Sequence, residues 1–162
     1  MNMRTRKITV LAILIAIGII MGYIESFINV IPVSGVKIGL SNMVLLYCIY
    51  KLSITDTLIV ATIKSILNGI LFSGIMSIIY SLSASIVSVA VMILLFKYVK
   101  KISVYGISMC GSCVFNITQF IVASIVLGNF LIMINLWYVL PISLVTGLIL
   151  GEVYRIIFLK DS

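Results

Sequence analysis

The sequence predicts an all-α integral membrane protein, a bundle of six transmembrane helices with both ends on the cytoplasmic side. Three observations predict it. Of 162 residues, 63% are hydrophobic and 9% are charged, against about half and about a quarter in a soluble domain. The apolar residues recur in blocks of roughly 15 to 25, and one helical crossing needs about 20. The basic residues between the blocks alternate as six crossings require, and five or seven would break the pattern. A single transmembrane domain over residues 1–162 is expected, with no room for a separate soluble catalytic domain.

Helix 1 is expected from about Ile8 to Phe27. Arg4, Arg6 and Lys7 precede it as in a secretory leader, but the apolar run is too long and no small-x-small cleavage site closes it. A short external loop with Pro32, Ser34 and Gly35 follows, then helix 2 from about Ile38 to Tyr50, short for a crossing. Thr55 or Asp56 suits the N-cap of helix 3, which reaches about Phe72. Ser73 and Gly74 break the chain before helix 4, about Ser77 to Phe96. Helix 5 spans about Val104 to Leu127, and Gly128 with Asn129 turns the chain into helix 6, about Leu131 to Phe158, with a kink expected at Pro141.

This order sets Arg4, Arg6, Lys7, Lys51, Lys97, Lys100, Lys101, Arg155 and Lys160 on the cytoplasmic side. Lys37 falls outside and Lys64 within helix 3. The formal net charge of +7 therefore expresses membrane topology, and nucleic acid is not an expected partner. The location is the cell membrane, as a multi-pass protein.

A charge at the middle of a membrane helix costs about 2.5 to 3.5 kcal/mol and usually faces a cavity or a partner. Lys64 either does so or snorkels to the cytoplasmic edge. Asn68 follows it by one turn, with Thr57 and Ala61 before it on the same face. On helix 1, Gly18, Gly22 and Glu25 share a face, while Ala12 and Ala16 lie opposite. Helix 1 thus carries two small-residue contact surfaces: one packs in the bundle with Glu25 near its outer mouth, and the other is left for lipid or another protein. Asn116 and Gln119, one turn apart in helix 5, are either interhelical hydrogen bonds or ligand contacts. Ser81, Ala84, Ser85 and Ser88 in helix 4, with Ser143, Gly147 and Gly151 in helix 6, read as close-packing seams.

Enzyme signatures are missing. The chain has no histidine, hence no histidine-based acid–base or triad chemistry. Four scattered acidic residues form no carboxylate pair for magnesium diphosphate, and no phosphate loop is present. Cys110 and Cys113 spell C-x-x-C well inside a predicted membrane helix, where a redox or metal role is not expected. Neither a catalytic residue, a metal nor a cofactor is assigned.

The run Gly22 to Ser26, which includes Glu25, followed by Pro32 to Asn42, which includes Gly35, Lys37 and Gly39, resembles the signature of the Gx transporter family. An older label for that family is heptaprenyl diphosphate synthase component I. Lys64 to Gly74, Ser81 to Ser85 and Gly106 to Gln119 are also similar, and the likeness runs from about Ile8 to Gly151. The family is related to the substrate-binding S components of energy-coupling factor (ECF) importers of the bacterial cytoplasmic membrane. The resemblance implies a six-helix protein that binds a vitamin-like solute from outside and docks to a membrane coupling subunit with ATPases. It implies docking through Ala12 and Ala16, and a gate at Pro32 to Lys37. Two positions depart from the family: Phe115 stands where a histidine is frequent, and Lys64 replaces an arginine, keeping the charge without the bidentate fork.

The expected site is therefore a small-molecule pocket lined by Asn42, Lys64, Asn68, Asn116 and Gln119, with Glu25 and Lys37 at its mouth. Lysine with amides suits a solute bearing a carboxylate or phosphate beside an apolar body. The alternative is a non-catalytic accessory protein of isoprenoid or quinone metabolism, and a plain structural subunit is a third reading.

Overall fold

The structure is a computed structural model that describes residues 3–27, 37–99 and 101–158. Helix α1 is Met3–Ser26, α2 Asn42–Lys51, α3 Ile54–Asn68, α4 Gly74–Tyr98, α5 Val104–Val126 and α6 Leu136–Phe158. A π-helical turn, Gly69–Ser73, joins α3 to α4, and a 3-10 segment, Phe130–Asn135, leads into α6. Among the described residues there is no strand.

Four helical stretches are long and apolar enough to span a bilayer: Arg4–Ser26, Ile54–Tyr98, Val104–Val126 and Phe130–Ile157. The second folds back on itself. Gly74 takes φ +80°, which a side chain rarely tolerates, and the Ser65 and Ser85 hydroxyls, twenty residues apart, lie 3.0 Å from each other. Helices α3 and α4 are therefore an antiparallel hairpin. Helix α2 has ten residues, about 15 Å and half the apolar thickness of a bilayer.

The bundle is apolar outside and polar within. Ile13, Ile20, Leu94, Ile125, Trp137 and Ile149 are exposed, whereas Lys64, Asn116, Gln119 and serines of α4 and α5 are buried. That inversion is what a lipid solvent selects, because lipid tails give apolar residues no reason to hide. Small residues bring helices close. A Cβ on Gly147 would lie 2.6 Å from the Met109 Cα, and the hydroxyl of Ser88 donates to the Gly111 carbonyl at 2.8 Å.

Contacts fix which helix ends lie together. Lys7 pairs with Asp56 at 2.9 Å, the Tyr50 ring packs edge-on against Phe96 and tilted against Tyr154, and the Tyr105 hydroxyl meets Glu152 and Arg155. The first turns of α1, α3 and α5 thus share one end with the last turns of α2, α4 and α6. That end carries Arg4, Arg6, Lys7, Lys51, Lys97, Lys101 and Arg155.

Several local expectations change. The N-cap of α3 is Ser53, whose extended backbone and side chain form a reciprocal capping box with Asp56; Asp56 acts as the third helical residue. Residues 38–41 are not helical, because Gly39 at φ +96° turns the chain before α2 starts. Helix 6 begins in 3-10 form, and Pro141 sits inside α6. The loop positions Pro32, Ser34 and Gly35, with Lys100 and Lys160, lie outside the described residues.

Gly22 is a tight helix contact at the polar interior: a Cβ there would come within 2.3 Å of Asn68 Oδ1. Gly22→Ala is expected to cost about 1–3 kcal/mol by overpacking, and Asn68→Ala in that background should return part of it. Thermal unfolding of the four variants in detergent, treated as a double-mutant cycle, checks this.

Candidate functional site

Residues 37–41 run between the helices as backbone without a strand partner, so their polar groups need side chains. Gln119 Oε1 accepts from the Lys37 N–H at 2.9 Å. Asn116 Nδ2 donates to the Ile38 carbonyl at 3.0 Å and to the Ser112 carbonyl at 3.1 Å. The Glu25 carboxylate accepts from the Gly39 N–H. Side chains from α5 and α1 thus grip three successive residues from both sides. Gly39 is required here: its φ is positive, and a Cβ would press on Asn42 and Phe115 at about 3 Å.

Beyond the turn, Lys64 completes the arrangement. Its Nζ donates to Ser41 Oγ at 2.9 Å and to Asn42 Oδ1 at 3.2 Å, and the residue is 1% exposed. Ten residues after the start of α3, it sits about 15 Å along the helix. The ammonium points into the bundle, not to its edge. Asn68, one turn on, donates to the Gly18 carbonyl at 3.2 Å and fastens α3 to α1.

The four amides share one property. Each has one end fixed by a partner that can only donate or only accept, which decides its orientation. The other end, in each case, is buried without a hydrogen-bond partner among the described residues: Asn42 Nδ2, Asn68 Oδ1, Asn116 Oδ1 and Gln119 Nε2. Glu25 Oε2, Lys37 Nζ and Ser112 Oγ share that condition. An unsatisfied buried group costs about 1–3 kcal/mol, so such a concentration marks a place to be completed by water or a ligand.

Counted by residue type, two lysines, Lys37 and Lys64, face one glutamate, Glu25, and none of the three forms an ion pair within 4 Å among the described residues. The start of α2 adds the positive end of a helix dipole.

The family model described as heptaprenyl diphosphate synthase component I matches residues 14–157. The chain belongs to that family. No curated protein and no solved structure matches the chain. The matched stretch in this component I family member contains every residue of the cluster, and the description names a component, one part of a larger assembly.

The structure gathers Glu25, Lys37, Asn42, Lys64, Asn116 and Gln119 around residues 37–42, and puts Asn68 at the neighbouring α1–α3 contact. Ala12 and Ala16 are exposed, away from the buried Gly18–Gly22 face of α1. Sequence reasoning missed Ser41 and Ser112. Their signals were present: Ser41 directly precedes Asn42 after the Gly39 turn, and Ser112 lies one turn before Asn116. Cys110 and Cys113 are unpaired, and Cys110 is exposed on the bundle surface.

Replacing Gln119 by Leu removes the acceptor for the Lys37 N–H. Hydrogen exchange at the Lys37 amide should then accelerate by up to about tenfold, the equivalent of about 1.4 kcal/mol. Unchanged exchange would mean that this bond does not hold the segment.

Proposed function

We propose that this chain is the solute-binding membrane subunit of a modular importer, related to ECF S components. In this reading the chain crosses the bacterial cytoplasmic membrane six times with both ends inside, the second crossing made by α2 together with the non-helical residues before it. The basic end of the bundle supports that orientation, since lysine and arginine favour the cytoplasmic side. The observation that carries the proposal is the cluster around residues 37–42. Polar groups anchored at one end and open at the other suit a small ligand better than helix adhesion alone.

Two lysines against one glutamate favour a carboxylate or phosphate on that ligand, and the surrounding apolar helices favour a hydrocarbon body. Lys64 supplies the charge, Asn42, Asn116 and Gln119 supply directional hydrogen bonds, and Glu25 and Lys37 stand at the outer mouth. The start of a short helix near the bilayer midplane, beside non-helical backbone, is a recurrent way for transporters to bind an anion. Transport involves no covalent chemistry. The loaded bundle docks through Ala12 and Ala16 on a coupling subunit, whose ATPases supply the energy.

A second reading rests on the family description, which names part of a prenyl diphosphate synthase. This chain would then present lipid to a catalytic partner. Its acidic side chains among the described residues are dispersed: Glu25 sits within the site, whereas Asp56 and Glu152 sit at the basic end.

The deciding experiment is affinity purification of the tagged chain from its native membrane in mild detergent, with mass spectrometry of bound proteins and small molecules. The expected result is a coupling subunit with ATPases, lost on Ala12→Trp or Ala16→Trp. A small anionic solute should accompany the wild-type chain and be absent from Lys64→Met, with the variant still eluting as a folded protein. Recovery of a prenyl synthase without ATPases would favour the second reading, and solute retained by Lys64→Met would remove Lys64 from the site.

A further inference from the structure

At the basic end, far along α3 from Lys64, a groove of about 310 Å³ opens between the end of α2, the start of α3 and the last turns of α4. Its walls are apolar: Ile49, Leu52, Ile54, Ile93 and Phe96. The polar lining is mostly spent on itself. Ser53 Oγ bonds Asp56 at 2.6 Å, and Thr57 Oγ1 donates to the Ser53 carbonyl at 3.0 Å. Lys97 is different: it lines the same groove, is exposed, and has no carboxylate partner among the described residues.

The groove opens sideways onto lipid-facing surface, since Ile54, Leu58, Phe96 and Leu94 around it are all exposed apolar residues. An apolar slot with an ammonium at its rim that touches only the Tyr98 ring face, 5.9 Å from its centroid, and has no carboxylate partner among the described residues, matches an amphiphile with a single anionic head. We propose that this groove is a binding site for an anionic glycerophospholipid, with an acyl chain between α2, α3 and α4 and its phosphate on Lys97. Lysine near an anionic surface is worth about 1 kcal/mol, and its stem covers apolar wall while the head reaches the phosphate. The site is separate from the polar cluster around residues 37–42 and does not depend on how that cluster is used.

Native mass spectrometry of the full chain, titrated with phosphatidylglycerol or phosphatidylcholine of identical acyl chains, tests the proposal. Phosphatidylglycerol should be retained about fivefold more strongly, the effect of one lysine. Lys97→Gln should abolish that preference, whereas Lys101→Gln, at the same end but outside the groove, should leave it unchanged. Ile93→Trp, which fills the slot, should weaken retention of both lipids, and glycerol phosphate without chains should not compete. Equal retention of the two lipids, an equal loss in Lys101→Gln, or competition by glycerol phosphate would overturn the site.

Discussion

An ammonium group buried inside an apolar helical bundle needs partners, and the arrangement around Lys64 follows from that need. The partners are Ser41 and Asn42, at the start of a ten-residue helix too short to cross a bilayer by itself. For α2 to begin at that depth, the chain must come down between the helices as irregular backbone. Such backbone is tolerated within a membrane only where protein or a cavity surrounds it. Glu25, Asn116 and Gln119 provide that surround by bonding residues 37–39 directly. The buried charge, the short helix and the gripping side chains are thus one device.

The same solvent argument explains the rest of the packing. Apolar side chains gain nothing by leaving lipid, so cohesion comes from close contact and internal hydrogen bonds. The hairpin of α3 and α4 is joined through serine hydroxyls, and α5 meets α4 and α6 where glycines remove side chains from the interface. At the basic end, the Lys7–Asp56 pair and the Ser53 capping box tie the starts of α1 and α3 in a more aqueous setting.

Helix α1 divides its duties between two faces. Its glycines admit Lys64 and Asn68 from α3, which carries Glu25 to the backbone it holds. Its alanines remain on the outside, where a smooth surface is available to another helix.

The sequence by itself determined that the chain forms long apolar helices able to span a membrane, the order of the helices and most of their limits, because block hydrophobicity and basic residues between blocks are local quantities. It also singled out the polar residues of the interior, since Lys64, Asn116 and Gln119 are conspicuous among apolar neighbours. Their partners depended on tertiary structure. Lys64 could have snorkelled, and no spacing rule ties Asn116 to the Ile38 carbonyl across seventy-eight residues. The cap at Ser53 and the late start of α2 also lay beyond reach, since each turns on a backbone angle set by what packs against it. Hydropathy is summed along the chain, whereas hydrogen-bond partners are chosen across it, and only the folded bundle brings them within 3 Å.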